Sequence, residues 1–307
     1  MEFLRLLETA RTPVVSAFMA AITYMGDETV CMVIAITMFW CVSKRQGYYV
    51  FAVGLGGTVI NQWLKLIFRI PRPWVLDPNF TIVESARAAA TGYSLPSVHT
   101  QNIVGTLGAI AVANNQKWLR VCCCVFIILV PFSRMYLGVH TPLDVGVSFA
   151  AAIVLVVALW PCFRDDAQFQ KTVKAVLCGL LALTLCYAVW VNVTSFPADV
   201  DADNLASGVK NGWTLLGCAL GLLVSCWFDE KKLHFDEKAP LLGQLCKLVI
   251  GLVLLIGVRA GLKPVLSAVT GGAAWANAVR YCLMVVFAGC VWPMTFPFFA
   301  KVGAKKK

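Results

Sequence analysis

A chain of 307 residues that is 59% hydrophobic and only 14% charged, with a mean hydropathy of +0.76, is not a soluble globular enzyme. Soluble domains carry about 25% charged and about 45–50% apolar residues. The same numbers exclude intrinsic disorder, and they make a bilayer the natural solvent. In chain order, residues 3–25 read as a short amphipathic interfacial helix, with Glu2, Arg5, Glu8 and Arg11 and no signal-cleavage site. A spanning helix needs about 20 mainly apolar residues. Nine stretches meet or nearly meet that: 27–43, 48–68, 98–115, 118–136, 143–162, 172–193, 211–229, 244–262 and 278–299. The expectation is an all-α, polytopic integral membrane protein of about nine transmembrane helices. Its parts are an amphipathic N-terminal segment (1–26), a membrane core (27–162) and a four-helix extension (163–307).

The net charge of +10 would suggest nucleic acid in a soluble protein. Here it sets orientation, and no nucleic-acid partner is expected. With the amino terminus outside, the inner loops and tail hold Lys44, Arg45, Lys117, Arg120, Arg164, Lys171, Lys174, Lys231, Lys232, Lys238, Lys301, Lys305, Lys306 and Lys307. That is fourteen cations, against six outside: Arg69, Arg87, Lys210, Arg259, Lys263 and Arg280. The positive-inside rule favours this arrangement. If residues 12–26 insert as well, only the amino terminus changes side. The thirteen cysteines match no zinc or disulfide spacing and read as small core hydrophobes.

Three segments place ionisable groups at membrane edges, where they are expensive and point to function. They run Lys65 to Pro73, Pro96 to His99, and Ser133 to Asp144. Two of the chain's three histidines, His99 and His140, lie in them. Lys65, Arg72 and Arg134 are fixed cations suited to phosphate, arginine as a planar fork and lysine as a point charge. Ser97 adds a hydroxyl near a helix start, where free N–H groups attract anions. His140 and Asp144 are four apart and share a face if that segment is helical. A carboxylate there holds one imidazole nitrogen protonated and frees the other. The set is an anion pocket with two histidines, and phosphoryl transfer relies mainly on such positioning and charge stabilisation. On the span assignment all three segments meet on the outer side.

The pattern K-x6-R-P, P-S-x-H and S-R-x5-H-x3-D, in that order, resembles the signature of the phosphatidic acid phosphatase type 2 family. The resemblance implies a helical-bundle core over roughly 27–162 that hydrolyses a lipid phosphate monoester or diphosphate. It implies that His140 is the nucleophile and forms a phosphohistidine, that Asp144 orients it, and that His99 protonates the leaving oxygen and then activates water. Lys65, Arg72, Ser97 and Arg134 would hold the phosphate oxygens, and no metal or cofactor is needed. Val98 departs from the family pattern, where many members have glycine; it narrows the loop and bears on fine specificity. The whole architecture is similar to that of glucose-6-phosphatase and the sphingosine-1-phosphate phosphatases. The expected partners are the bilayer and a lipid phosphate. The expected location is a bacterial plasma membrane or an organelle membrane such as the endoplasmic reticulum, with the site on the non-cytoplasmic side.

The same sequence admits other readings. A soluble ester such as glucose-6-phosphate is the rival substrate. A vanadate-dependent haloperoxidase has a similar pocket, but nine spans argue against it. A transporter expects charges at the midplane of broken helices rather than at helix ends. The run Asp199, Asp201, Asp203 begins like a calcium loop, but Asn204 and Lys210 stand where glycine and glutamate are needed. His234 reads as solvated. The pairs Gly217/Gly221 and Gly257/Gly261 read as close helix packing. Arg259 and Lys263 read as headgroup contacts, with a substrate grip as the sharper alternative. Glu84 and Arg87 are placed to line an entrance.

Overall fold

The computed structural model is described over residues 1–303; Lys305, Lys306 and Lys307 of the orientation tally lie outside the described residues. The helices are α1 (Glu2–Thr9), α2 (Pro13–Thr23), α3 (Glu28–Thr37), α4 (Lys44–Phe68), the single turn α5 (Pro73–Leu76), α6 (Val98–Ala113) and α7 (Lys117–Tyr136). They continue as α8 (Pro142–Phe163), α9 (Asp166–Val193), α10 (Ala202–Phe228), α11 (Leu241–Thr270), α12 (Ala276–Val286) and the turn α13 (Phe296–Phe299). No strand occurs among the described residues.

Seven helical runs are long and apolar enough to cross a bilayer: α4 to Leu76, α7, α8, α9, α10 to Leu233, α11, and α12 to Phe299. An eighth arises if Pro13–Gly26 and Glu28–Val42, bent by 50°, count as one broken span. The expected nine spans are therefore not reproduced, for two reasons. The stretch 27–43 is only the second arm of that bent pair. The stretch 98–115 forms α6, whose 16 residues rise about 24 Å, short of the ~30 Å hydrocarbon core. Thr100, Gln101, Asn102 and Thr106 of α6 are buried against the rest of the protein. The expected single helix over 3–25 is two, α1 and α2. Thr12 caps α2, its Oγ1 accepting from Val15 N at 3.3 Å, and Pro13 takes the first helical position.

The chain forms two compact units. The first comprises Met1–Ala35, Tyr49–Arg164 and Ser195–Gly208; the second comprises Ile36–Tyr48, Asp165–Thr194 and the chain from Val209 onward. In the first unit α6 packs against α7 and α8. Small residues permit close approach: a Cβ at Gly108 would lie 3.3 Å from Val156 of α8, and one at Gly105 would lie 3.1 Å from Val53 of α4. Tyr49 donates to Val156 O at 2.6 Å and stacks on Phe163 at 5.4 Å.

In the second unit Trp40 is fully buried, donates to Ala288 O at 2.9 Å and meets Trp292 and Phe296. Lys44 pairs with Asp229 at 2.8 Å. The two glycine pairs part company here. A Cβ on Gly217 or Gly221 would strike α12, whereas Gly257 and Gly261 face open space within 4 Å. The packing reading holds for the first pair and is corrected for the second. Gly217→Ala is expected to cost about 1–3 kcal/mol by overpacking. Gly257→Ala should be neutral or gain up to about 1 kcal/mol through helix propensity. Thermal denaturation in detergent separates the two. The cysteine reading also needs correction: only Cys31, Cys123, Cys226 and Cys290 are buried, while Cys122, Cys124, Cys178 and Cys186 lie exposed on α7 and α9.

Candidate active site

Every residue named from the three motifs falls in the first unit, at the ends of α4, α6, α7 and α8. Lys65 sits in the last turn of α4, is buried, and donates its Nζ to Tyr93 O. Arg72, held between Pro71 and Pro73, is buried in a collar of carbonyls. It donates to Thr91 O (2.6 Å), Gly92 O (2.9 Å) and Val139 O (2.9 Å). Its Nη1 also lies 2.9 Å from His140 Nε2. The same Nη1 lies 3.4 Å from Nδ1, so it sits over the ring rather than in line with one lone pair.

His140 Nδ1 lies 3.5 Å from both Asp144 Oδ2 and Ser94 Oγ. His140 and Asp144 were expected to share a helix face, but the chain uses a helix start instead. His140 precedes the N-cap residue Thr141 of α8, and Asp144 is the third helical residue. Thr141 Oγ1 accepts from Asp144 N at 3.3 Å, and Asp144 Oδ2 accepts from Thr141 N at 2.7 Å. This capping box fixes the carboxylate beside the imidazole. Ser94, which sequence reasoning missed, donates its hydroxyl to the same Oδ2 at 2.5 Å. Asp144 Oδ1 is buried and accepts no hydrogen bond.

Arg134 occupies the last turn of α7 and is fully buried. Its Nη1 donates to Thr23 Oγ1 at 2.9 Å, a second contact the sequence did not reveal. Its Nε and Nη2 are shielded from solvent and bond nothing among the described residues. Leaving a buried donor unmatched costs about 1–3 kcal/mol, so these N–H groups are a clear invitation to an anion. Ser97 caps α6, its hydroxyl accepting from Thr100 N at 3.4 Å, and its own N–H donates to Asp144 O at 3.2 Å. Its hydroxyl is thus directed to its own helix rather than to the two arginines. His99, two residues on, is half-buried, makes no hydrogen bond among the described residues, and lies within electrostatic reach of Arg134, Arg72 and Lys65. Val98 is the first residue of α6.

The turn between α7 and His140 depends on Gly138, whose φ is +81°. A Cβ there would also press to 2.7 Å from Arg11 Nη2 and 2.9 Å from Phe80. Arg11 donates to Tyr136 O (2.9 Å) and Thr81 O (2.7 Å), so the N-terminal segment braces the loop that carries His140. Glu84 and Arg87 pair with each other at 2.7 and 2.8 Å in the 69–97 loop. The guanidinium of Arg87 lies 5.0 Å from the centre of the Trp74 ring, and that of Arg72 lies 5.9 Å from it.

Burial, then the charges of Arg72, Arg134 and Lys65, hold the His140 imidazole well below its usual range. The folded chain keeps this ring neutral, whereas an unfolded imidazole gains a proton below about pH 6.5. The unfolded state then binds more protons, so stability is lost as pH falls through that value. The thermal midpoint is expected to drop from pH 7 to pH 5, and to drop less in His140→Gln. Equal slopes would contradict the buried neutral assignment. Among the described residues no three or more His, Cys, Asp or Glu side chains gather as a metal ion would require.

An all-helical membrane protein with buried cations and a neutral histidine at converging helix ends defines a class, and comparison with known proteins gives its family. Residues 45–168 match the PAP2 superfamily, and residues 213–305 match the PAP2 superfamily phosphatase transmembrane extension. The chain belongs to the PAP2 superfamily and is an integral membrane protein. It is 26% identical to the probable sphingosine-1-phosphate phosphatase of Dictyostelium discoideum, over 78% of this chain and 58% of that one. It is 32% identical to undecaprenyl-diphosphatase BcrC of Bacillus subtilis, over 37% of this chain and 55% of that one. It is 22% identical to glucose-6-phosphatase 3 of Rattus norvegicus, over 70% and 73% respectively. The chain therefore spans less than two thirds of the first two relatives. No solved structure matches it.

Proposed function

We propose that this protein is a metal-independent membrane phosphatase that hydrolyses a lipid phosphate monoester or diphosphate through a phosphohistidine, at the non-cytoplasmic interface. One observation carries the reading. Arg72 Nη1 lies 2.9 Å from His140 Nε2, while Arg134, wholly buried, holds two N–H groups without an acceptor among the described residues. Phosphate oxygens satisfy both arginines and bring phosphorus to that nitrogen.

The steps are those that the family resemblance implies, carried by these residues. His140 Nε2 attacks phosphorus; a P–N bond forms as the ester P–O bond breaks. His99 gives a proton to the leaving oxygen. The phosphorylated ring carries its charge at Nδ1–H, where Asp144 balances it. His99, now a base, takes a proton from water, whose oxygen attacks phosphorus and breaks the P–N bond. Phosphate departs and His140 is neutral again. Lys65, Arg72 and Arg134 hold the transferred group by charge, with Ser97 setting the α6 N-terminus against it.

The lipid class rests on the membrane architecture and on the names of the first two relatives. A soluble phosphate ester is the second reading, supported by the likeness to glucose-6-phosphatase 3 over most of both chains. Phosphate release from phosphatidate, sphingosine-1-phosphate, a prenyl diphosphate and glucose-6-phosphate, with and without chelator, tests both. A lipid is expected to be preferred and the chelator to have no effect. Preference for glucose-6-phosphate would overturn the lipid assignment, and a strict magnesium requirement would overturn the metal-free scheme.

A further inference from the structure

The second unit holds a cavity of about 600 Å³ that the catalytic scheme does not use. Its lining brings together Lys210 of α10, Arg259 and Lys263 of α11, and Arg280 of α12, with Asn277 and Tyr281 beside them. No aspartate or glutamate lines it. None of the four cations has an ion-pair partner among the described residues. The Nε of Arg280 is shielded from solvent and bonds nothing there, and its guanidinium lies 4.8 Å from the Tyr281 ring.

Of these cations, Arg259 and Lys263 read from sequence as headgroup contacts, and Lys210 and Arg280 only as outer cations. A single lysine or arginine at a membrane edge snorkels outward and needs no ligand. Four cations from three helices converging on one cavity are different. Like charges without a counter-ion repel each other; Arg280 is half-buried, while Lys210, Arg259 and Lys263 are exposed. An anion reverses the sign of that interaction. Two arginine forks and two ammonium groups, with an amide and a phenol alongside, match the oxygen array of a phosphate group. The volume falls within the ~300–1,000 Å³ range of ligand sites and exceeds what a bare phosphate fills. Ile256 and Leu266 add an apolar wall. Lys263 stands seven residues before the end of α11 at Thr270, about 10 Å at 1.5 Å per residue, a depth within reach of headgroups.

We infer that this cavity is a second anion site, separate from the catalytic histidines, that binds a phosphate-bearing group. The group can be carried by a membrane lipid or come as free inorganic phosphate, and the test separates the two. The probe is the phosphonate analogue of phosphatidate, whose C–P bond resists hydrolysis, with phosphatidylcholine as control. Native mass spectrometry of the full chain in detergent counts bound molecules.

The Arg259→Gln/Lys263→Gln variant is expected to retain one phosphonate lipid fewer than wild type, with at least tenfold weaker binding of that molecule. Arg259→Lys/Lys263→Arg, which keeps both charges, should retain it. Lys231→Gln/Lys232→Gln, with the same charge loss elsewhere, should also retain it. Arg280→Gln alone should weaken it, which guards against misfolding of the double variant. If millimolar inorganic phosphate displaces that molecule, free phosphate is a ligand of the site; if not, the lipid headgroup is. An unchanged count in Arg259→Gln/Lys263→Gln, or equal loss in Lys231→Gln/Lys232→Gln, overturns the inference.

Discussion

His140→Gln is expected to lower kcat by about 10⁴-fold or more, as loss of a nucleophile does in other covalent hydrolases. Glutamine is chosen because it retains a polar group against Arg72 and Asp144 while offering no nitrogen able to take a phosphoryl group. The variant should bind substrate nearly as well as wild type, since the cations that would hold phosphate are untouched. A near-normal KM with a collapsed kcat is the signature of a group that acts in the chemical step. Removing Asp144 should do less. On the proposed scheme its carboxylate orients His140 and balances charge at Nδ1 but forms no bond to phosphorus. Ser94→Ala, which removes one donor to that carboxylate, should do less again.

Arg134→Met is expected to cut kcat/KM by about 10²–10³-fold, the scale of removing one preorganised donor from a developing charge. The same change should stabilise the fold. Arg134 is fully buried, has no carboxylate partner and leaves Nε and Nη2 unmatched. Methionine removes those donors and fills the space with a flexible apolar chain. A gain of about 1–3 kcal/mol is anticipated from relief of the unsatisfied groups, less what the lost Thr23 contact returns. Activity and stability moving in opposite directions distinguish a functional cation from a structural one. A fall in both would make Arg134 a structural residue instead. Kinetics and thermal denaturation on one preparation give the answer.

The local chemistry of the site was readable from sequence because charged groups at membrane edges have few innocent explanations. Lys65, Arg72, His99, Arg134, His140 and Asp144 stood out for that reason, and the fold gathers their helix ends. What joins them was not readable. The carbonyls of Thr91, Gly92, Tyr93 and Val139 that hold Arg72 and Lys65 belong to backbone, which side-chain patterns do not report. Ser94 and Thr23 are common residue types whose roles arise from contacts 50 and 111 positions away. The capping box at Thr141 and Asp144 was open to recognition, since threonine followed three residues later by a carboxylate marks a helix start. Helical periodicity was assumed there instead. The count of nine is not confirmed at α6, whose 16 residues are fewer than a full span needs. The reading of Gly257 and Gly261 failed because four-residue spacing places small residues on one face but does not supply a neighbour.

The most direct test of the phosphohistidine account is to quench the enzyme during turnover of a ³²P-labelled substrate and locate the label. The account predicts an acid-labile, alkali-stable phosphoryl group on His140, formed at a rate no slower than turnover and absent from His140→Gln. Turnover without protein-bound label, or label that persists in His140→Gln, would contradict it.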